Sequence, residues 1–136
     1  MYRVILLPID PAHGERVDAM LAAAAALRGP NSRIVCIHVV PEPPTSLSLG
    51  LPLETFSAEV SDARATVEAL IAGAGLGASV EVMSGDPDDA ILEAARAIRA
   101  DLIIIGSHRP GLEDYLLGST AARIVRHAKC SVFVIR

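Results

Sequence analysis

Five short apolar runs divide the chain, and they predict β-strands. Their sequences are YRVILLPI, RIVCIHVV, SVEVM, DLIIIG and SVFVIR. Most of these runs are continuously apolar and do not alternate with polar residues, which is typical of parallel strands covered by helices on both faces. Helical patterns lie between them, so the predicted order is β-α-β-α-β-α-β-α-β. This order indicates an α/β fold with one open parallel sheet and right-handed crossovers.

Two helices are predicted in the first half of the chain. Apolar residues recur at helical spacing from Val17 to Leu27, and Gly29-Pro30 is expected to end that helix. A second helix is expected from about Leu53 to Ala74. The preceding segment PEPPTSLSLGLP, residues 41–52, contains four prolines and is predicted to be a surface loop.

Two further helices follow in the second half. The third has a well-defined start, because Asp86 can cap its first turn and Pro87 fits the first helical position. The last helix is predicted from about Ser119 to Lys129, with three residues facing inward: Ile124, Val125 and Ala128.

Composition narrows the class of protein. With 136 residues and 51% hydrophobic content, the chain suits a single domain over residues 1–136. A net charge of −4 provides no general attraction for nucleic acid or anionic lipid. The first apolar run is too short for a signal peptide or a membrane span, so a cytoplasmic location is expected. Cys36 and Cys130 have no CxxC spacing and are expected to be reduced packing residues.

The connection after the fourth run is unusually long. Thirteen residues, Gly106 to Gly118, stand between a buried strand and its next helix, whereas such connections usually take about 2–6 residues. Glycines bound it at both ends, which suggests a ligand. The sequence GSHRPGLE has GxxxxG spacing but lacks the Lys and Ser/Thr of a P-loop, and it is not a GxGxxG fingerprint. A helix cap at Gly118-Ser119 and an anion site there both stay open.

The carboxyl ends of the predicted strands bring the candidate residues together. In open α/β sheets, ligands bind beyond these ends, where the strand order reverses. The segments PID, HVV and GSHRPG follow the first, second and fourth strands. Asp10 also has a simpler interpretation, as a turn residue at a strand end.

The four histidines have different expected roles. His38 is expected to be a satisfied, partly buried residue, and His127 a favourable charge at a helix end. His13 belongs to the first loop, and His108 is placed at the candidate site. No spacing indicates a catalytic triad, a metal-ligand cluster or a carboxylate pair.

At this point the chain resembles the universal stress protein family. The resemblance rests on VILLPID, IHVV, GDPDDAILEAARAIRADLIIIGSHRPG and YLLGSTAARIVRHAKCSVFVIR, which together span nearly the whole chain. The nucleotide-binding branch carries Gly-x2-Gly-x9-Gly-Ser/Thr. Gly106 matches the first glycine and Gly118-Ser119 the last pair, whereas Arg109 occupies the middle position and the loop is one residue shorter. This form is similar to the F/G subgroup.

The resemblance implies a Rossmann-like sheet of order 3-2-1-4-5, similar to the adenine nucleotide alpha hydrolase fold. ATP, or AMP or ADP, would bind between the first and fourth strands, and Mg²⁺ would be carried with the nucleotide. By motif position, Asp10 would bind the ribose or adenine, and the backbone at Val39 or Val40 would meet the adenine edge. Arg109 is expected to supply a charge to the phosphates. The full set of candidate binding residues is Pro8, Ile9, Asp10, Val39, Val40, Gly106, Ser107, His108, Arg109, Gly118, Ser119 and Thr120.

The function expected from this resemblance is a regulatory one: a sensor or adaptor in the stress response whose surface depends on bound nucleotide. One alternative is a slow ATPase or autokinase that uses Ser107, Ser119 or Thr120 as phosphate acceptor. Another is a structural dimer without nucleotide binding. A homodimer is expected through the last strand, at Val132, Phe133, Val134 and Ile135, because this edge lacks proline and charge. A protein partner is also expected, of a kind that the sequence does not specify.

Overall fold

The fold is known from a computed structural model, which describes residues 1–41, 53–107 and 117–136, without the side chains of residues 15 and 53–56. Five strands form one sheet of order β3-β2-β1-β4-β5, and every neighbouring pair is parallel. The predicted α/β class and strand order are confirmed. Most of the predicted proline-rich loop, residues 42–52, and the centre of the long connection, residues 108–116, lie outside the described residues.

The helices alternate with the strands as the pattern predicted. The strands are β1 (Tyr2–Pro8), β2 (Arg28–Val40), β3 (Ser79–Ser84), β4 (Leu102–Gly106) and β5 (Ser131–Ile135). The helices are α1 (Val17–Leu27), α2 (Leu53–Ile71), α3 (Pro87–Ala97) and α4 (Ser119–His127). Short 3-10 helices occupy Pro11–Arg16, between β1 and α1, and Ala72–Ala74, after α2.

The central strands β1, β2 and β4 are buried on both faces of the sheet, which explains their continuous apolar runs. Ile5 and Ile104 belong to one hydrophobic cluster, together with residues of α1 and α2. Leu6 and Ile103 belong to the other, together with residues of α3 and α4. Neighbouring side chains in a strand point to opposite faces of the sheet. Consecutive residues such as Ile5 and Leu6 must therefore both be apolar.

Strand β2 is longer than its apolar run predicted. It begins at Arg28, directly after α1, and includes Gly29-Pro30. The expected break does end the helix, but the chain continues as an irregular strand. Its register with β1 shifts between the pairs Tyr2–Arg28 and Val4–Arg33. Proline is tolerated where ladder pairing is interrupted in this way.

The last helix ends at His127, earlier than predicted, and one of its expected core residues is exposed. Ile124 is fully buried, but Val125 is 47% exposed, so its predicted inward orientation is wrong. Adjacent helical residues differ in direction by about 100°. Burial of Ile124 therefore turns the next residue towards solvent.

The start of α3 is capped and tied to α4. Asp86 accepts a hydrogen bond from the amide of Asp89 at 3.1 Å, which confirms the predicted cap. Arg123 of α4 reaches the same turn, with Nη2 2.6 Å from Asp89 Oδ1. The carboxylate of Asp89, assisted by Asp88 and Asp86, raises the pKa of Arg123. These contacts hold the two helices together on one face of the sheet.

Both cysteines are free thiols. Cys36 is buried within β2, and desolvation raises its pKa to about 12, so the thiol stays neutral. Within the described ranges, no helix has the length and apolar character that crossing a membrane requires.

Candidate functional site

A cleft of about 490 Å³ lies at the carboxyl ends of β1, β2 and β4. This is the point where the strand order reverses, since β1 is followed in sequence by β2 on one side and adjoins β4 on the other. The volume is in the range of about 300–1,000 Å³ that small-molecule sites occupy. Of the predicted residues, those that line the cleft are Pro8, Ile9, Asp10, Val39, Gly106 and Thr120.

Asp10 lies two residues after the end of β1 and has a structural role of its own. Its Oδ1 accepts a hydrogen bond from the amide of Ala12 at 2.9 Å, which caps the 3-10 helix. Its Oδ2 lies 3.8 Å from Nε2 of His13, and its side chain is 57% exposed. The simpler interpretation, a turn residue, is therefore correct. The same carboxylate also borders the cleft, so it remains accessible to a ligand.

His38 fastens the end of β2 to the end of β1. Its Nδ1 lies 3.0 Å from the carbonyl oxygen of Ile9. A carbonyl only accepts, so Nδ1 carries the proton and donates. The amide of Ile9 in turn donates to the carbonyl of Ile37 at 2.8 Å. The prediction of a satisfied, partly buried histidine is confirmed, and the bonds hold the backbone just before Asp10.

The floor of the cleft contains Gly106, at the end of β4. A Cβ atom placed there would lie 3.2 Å from Cδ of Arg16 and 3.6 Å from Sδ of Met20. Both of these side chains line the cleft. The absence of a side chain at position 106 therefore lets the α1 region pack closely over the end of β4.

Ser107 and Gly118 form a link between β4 and α4. Ser107 is 8% exposed, and its Oγ accepts a hydrogen bond from the amide of Gly118 at 2.9 Å. The Ser107 amide donates to the carbonyl of Ile135 at 2.7 Å. A buried and bonded hydroxyl is poorly placed to receive a phosphoryl group. These contacts close the two ends of the long connection onto each other.

The start of α4 borders the cleft through Thr120. Gly118 is its N-cap residue, its first turn contains no acidic residue, and no side chain caps it. Ser119 is exposed and Thr120 is half-buried, and Thr120 lines the cleft. Helix N-termini present unpaired amide groups and a partial positive charge, which suit an anion.

Of the other predicted residues that the structure describes, four do not line the cleft: Val40, Ser107, Gly118 and Ser119. Val40 is half-buried, does not line the cleft, and its carbonyl accepts the amide of Gly85 at 3.1 Å. His108 and Arg109 lie outside the described residues. Among the residues that the structure describes, no group of three or more His, Cys, Asp or Glu side chains could hold a metal ion.

Sequence reasoning missed the charged and apolar walls of the cleft. Arg16 and His13 come from the 3-10 helix after β1, and apolar walls are provided by Val17, Met20, Ile37, Ile91 and Ile105. The apolar residues carried a signal only for burial. Arg16 stood at the start of a helical pattern without a motif around it, so nothing local distinguished it from a solvent-exposed arginine.

A second cavity, of about 620 Å³, lies elsewhere on the molecule. Its lining includes three basic residues near the carboxyl ends of α3 and α4, namely Arg96, Arg99 and Lys129. Cationic side chains at these positions complement the negative ends of the two helices. This cavity is remote from the carboxyl ends of the strands, and we therefore place the candidate site in the first cleft.

The comparison with protein families agrees with this architecture. The family model described as the universal stress protein family matches residues 1–136. The chain belongs to that family. Universal stress protein G of Shigella flexneri is 29% identical over 147 residues, which cover 100% of this chain and 100% of that protein.

Solved structures of universal stress proteins share the fold of this family member. The universal stress protein UspA from Lactobacillus plantarum superimposes with a TM-score of 0.75 at 24% identity, and the match covers 99% of this chain and 98% of that chain. At this level of identity the likeness shows the fold.

Two structures with this fold were determined with adenine nucleotides. One is the universal stress protein from Archaeoglobus fulgidus in complex with dAMP, with a TM-score of 0.69, 21% identity, and coverage of 99% of this chain and 98% of that chain. The other is an Arabidopsis thaliana family protein with AMP bound, with a TM-score of 0.63, 17% identity, and coverage of 98% and 90%.

Proposed function

We propose that this universal stress protein binds an adenine nucleotide, ATP or its AMP and ADP forms, in the cleft between β1 and β4, and acts as a regulatory protein in the stress response. The observation that carries the proposal is the cleft at the reversal of strand order, with a carboxylate at the end of β1 and an uncapped helix start beside β4. The complexes of related proteins with dAMP and AMP support the choice of ligand.

The residues of the cleft suit the parts of such a nucleotide. Apolar walls that include Ile37, Val39 and Met20 suit the adenine ring. The carboxylate of Asp10 can accept hydrogen bonds from ribose hydroxyls. Amide groups at Ser119 and Thr120 suit the phosphates, while Ser107 and Gly118 hold the start of α4 in place.

A bound nucleotide supplies negative charge and hydrogen-bonding groups that connect the end of β1 to the start of α4. The residues at these two ends belong to separate crossovers: Asp10 bonds within its own turn, and Gly118 bonds to Ser107 at the end of β4. Ligand binding would therefore stabilise one arrangement of the cleft, and partners would respond to that arrangement. Mg²⁺ would enter with the phosphates of ATP. This is the basis of the proposed sensor or adaptor role.

The test is a calorimetric titration of the purified protein with AMP and ATP, together with variants of Asp10. Asp10→Asn keeps a side-chain oxygen that can cap the 3-10 helix, because Asn and Asp are similar as N-caps. It removes the charged acceptor, and we expect the affinity to fall about tenfold to a hundredfold with little change in melting temperature. Asp10→Ala is expected to lower both.

Mass spectrometry of protein released from a native preparation provides an independent check, since a co-purified adenine nucleotide would support the proposal. Wild-type protein that binds neither AMP nor ATP in the titration would contradict it. Full affinity in Asp10→Asn would instead show that Asp10 serves only as a cap.

We also propose that the protein forms a homodimer through β5. This strand is at one edge of the sheet, and none of its residues is charged. Phe133 is 44% exposed on it. The opposite edge is protected differently, because β3 contains Glu81 and Arg64 of α2 donates to the carbonyl of Val80 at 2.6 Å. Two-fold antiparallel pairing of β5 would cover the unprotected edge.

We expect Phe133→Glu to convert the dimer to a monomer, because two glutamates would face each other near the two-fold axis without a partner charge. Light scattering at micromolar concentration measures the mass. Val125→Glu is the control, since it places the same charge on a similarly exposed residue of α4. A monomeric wild-type protein, or an unchanged mass in Phe133→Glu, would contradict the proposed interface.

A further inference from the structure

Arg16 extends from the start of α1 to the carboxyl ends of β4 and β5. Its Cδ and Cβ atoms lie 3.2 Å and 3.5 Å from the position that a Cβ of Gly106 would take. Its Nη1 donates to the carbonyl of Ile135 at 3.5 Å, which is at the long limit for a hydrogen bond. The side chain also lines the cleft. The stem of Arg16 therefore lies at the β4 end of the cleft, and its guanidinium reaches the carboxyl end of β5.

Arg16 lies at the junction between the 3-10 helix Pro11–Arg16 and α1. Arg16 is the N-cap residue of α1 and makes no side-chain capping bond there. An anion beside Arg16 would be attracted by both the guanidinium and the helix start.

The charges of the cleft are separated in a way that matches a nucleotide. Asp10 provides a carboxylate at the end of β1, and Arg16 provides a guanidinium at the ends of β4 and β5. The other titratable side chains lining the cleft are His13, beside Asp10, and His38, bonded to Ile9. Hydroxyl donors of a ribose suit the first end, and a phosphate suits the second.

The role of Gly106 in this arrangement differs from the one that the sequence suggested. In the sequence, Gly106 suggested a ligand because it bounds the long connection. In the structure, the space beside Gly106 is filled by the aliphatic stem of Arg16. The glycine thus admits the stem of the residue that carries the positive charge.

We propose that Arg16 binds the phosphate of the nucleotide and makes the site selective for nucleotides over nucleosides. The proposal rests on the proposed function and adds to it the residue that recognises the phosphate. A guanidinium is suited to this task because its planar fork donates two parallel hydrogen bonds to phosphate oxygens.

The test compares AMP with adenosine in calorimetric titrations of wild-type protein, Arg16→Met and Arg16→Lys. Methionine keeps an unbranched stem over Gly106 and removes the charge. We expect Arg16→Met to lose about tenfold to a hundredfold in AMP affinity and to leave adenosine affinity within about twofold, an energy difference below the size of one hydrogen bond. Arg16→Lys should show an intermediate loss for AMP, because it restores the charge without the fork.

The matched control is Arg28→Met, since the guanidinium of Arg28 donates to the carbonyl of Leu76 and does not line the cleft. It should bind both ligands as the wild-type protein does. Unchanged AMP affinity in Arg16→Met, or equal losses for AMP and adenosine, would overturn the assignment of Arg16 while the proposed function stands. Wild-type protein that binds neither ligand would overturn both.

Discussion

Gly106→Val is expected to reduce the affinity for adenine nucleotides by at least about a hundredfold, which corresponds to roughly 2.7 kcal/mol. The new Cβ would lie 3.2 Å from Cδ of Arg16 and 3.6 Å from Sδ of Met20. These side chains are flexible, so the fold can adapt by moving them. The two extra methyl groups of valine then displace Arg16 and occupy the floor of the cleft. Titration with AMP measures the loss.

Gly73→Val is the control for this variant, because a Cβ at Gly73 meets no atom within 4 Å. It should bind AMP as the wild-type protein does. Gly106→Ala should have a smaller effect than Gly106→Val, since one methyl group requires only a shift of Arg16. Wild-type affinity in Gly106→Val would show that the nucleotide does not use this end of the cleft.

Ile103→Ala is expected to destabilise the protein by about 2–5 kcal/mol. Ile103 is fully buried in β4 and is paired with Leu6 of β1 and Val132 of β5. Removing its outer carbons leaves a cavity that strands on both sides prevent from closing. Urea unfolding followed by circular dichroism gives the free energy of unfolding.

Val125→Ala provides the comparison for Ile103→Ala, because Val125 is 47% exposed. A surface substitution of this kind usually changes stability by less than about 0.5 kcal/mol. A loss of under about 1 kcal/mol in Ile103→Ala would mean that the centre of the sheet repacks more freely than a closely packed core allows.

Hydrophobic periodicity predicted the strands and helices well where the residue pattern of the segment alone decides which side chains are buried. Continuous apolar runs indicated strands covered on both faces, and the cap at Asp86 was correct because it depends on residues three positions apart. The strand order came from the family resemblance, since periodicity does not report which strands are neighbours. Val125 was misplaced because its direction depends on how α4 packs.

The sequence also predicted part of the site, namely the residues whose position depends on the end of a strand. Residues at or just beyond the ends of strands, such as Asp10 and Gly106, were placed at the cleft because the carboxyl ends of parallel strands share one edge. The role of Ser107 was not foreseen, since its bond to Gly118 closes a long connection. The sequence analysis did not identify Arg16 as a site residue, because its contact with Gly106 joins distant parts of the chain.

The sequence by itself determined the α/β class, the order of elements along the chain and the glycines around the long connection, because local hydrophobic patterns and backbone preferences act over a few residues. Only the tertiary structure decided that β2 starts at Arg28, that Asp10 caps a turn while facing the cleft, and that the stem of Arg16 fills the space beside Gly106. These features depend on contacts between segments that folding brings together, and no local pattern encodes the distance between two such segments.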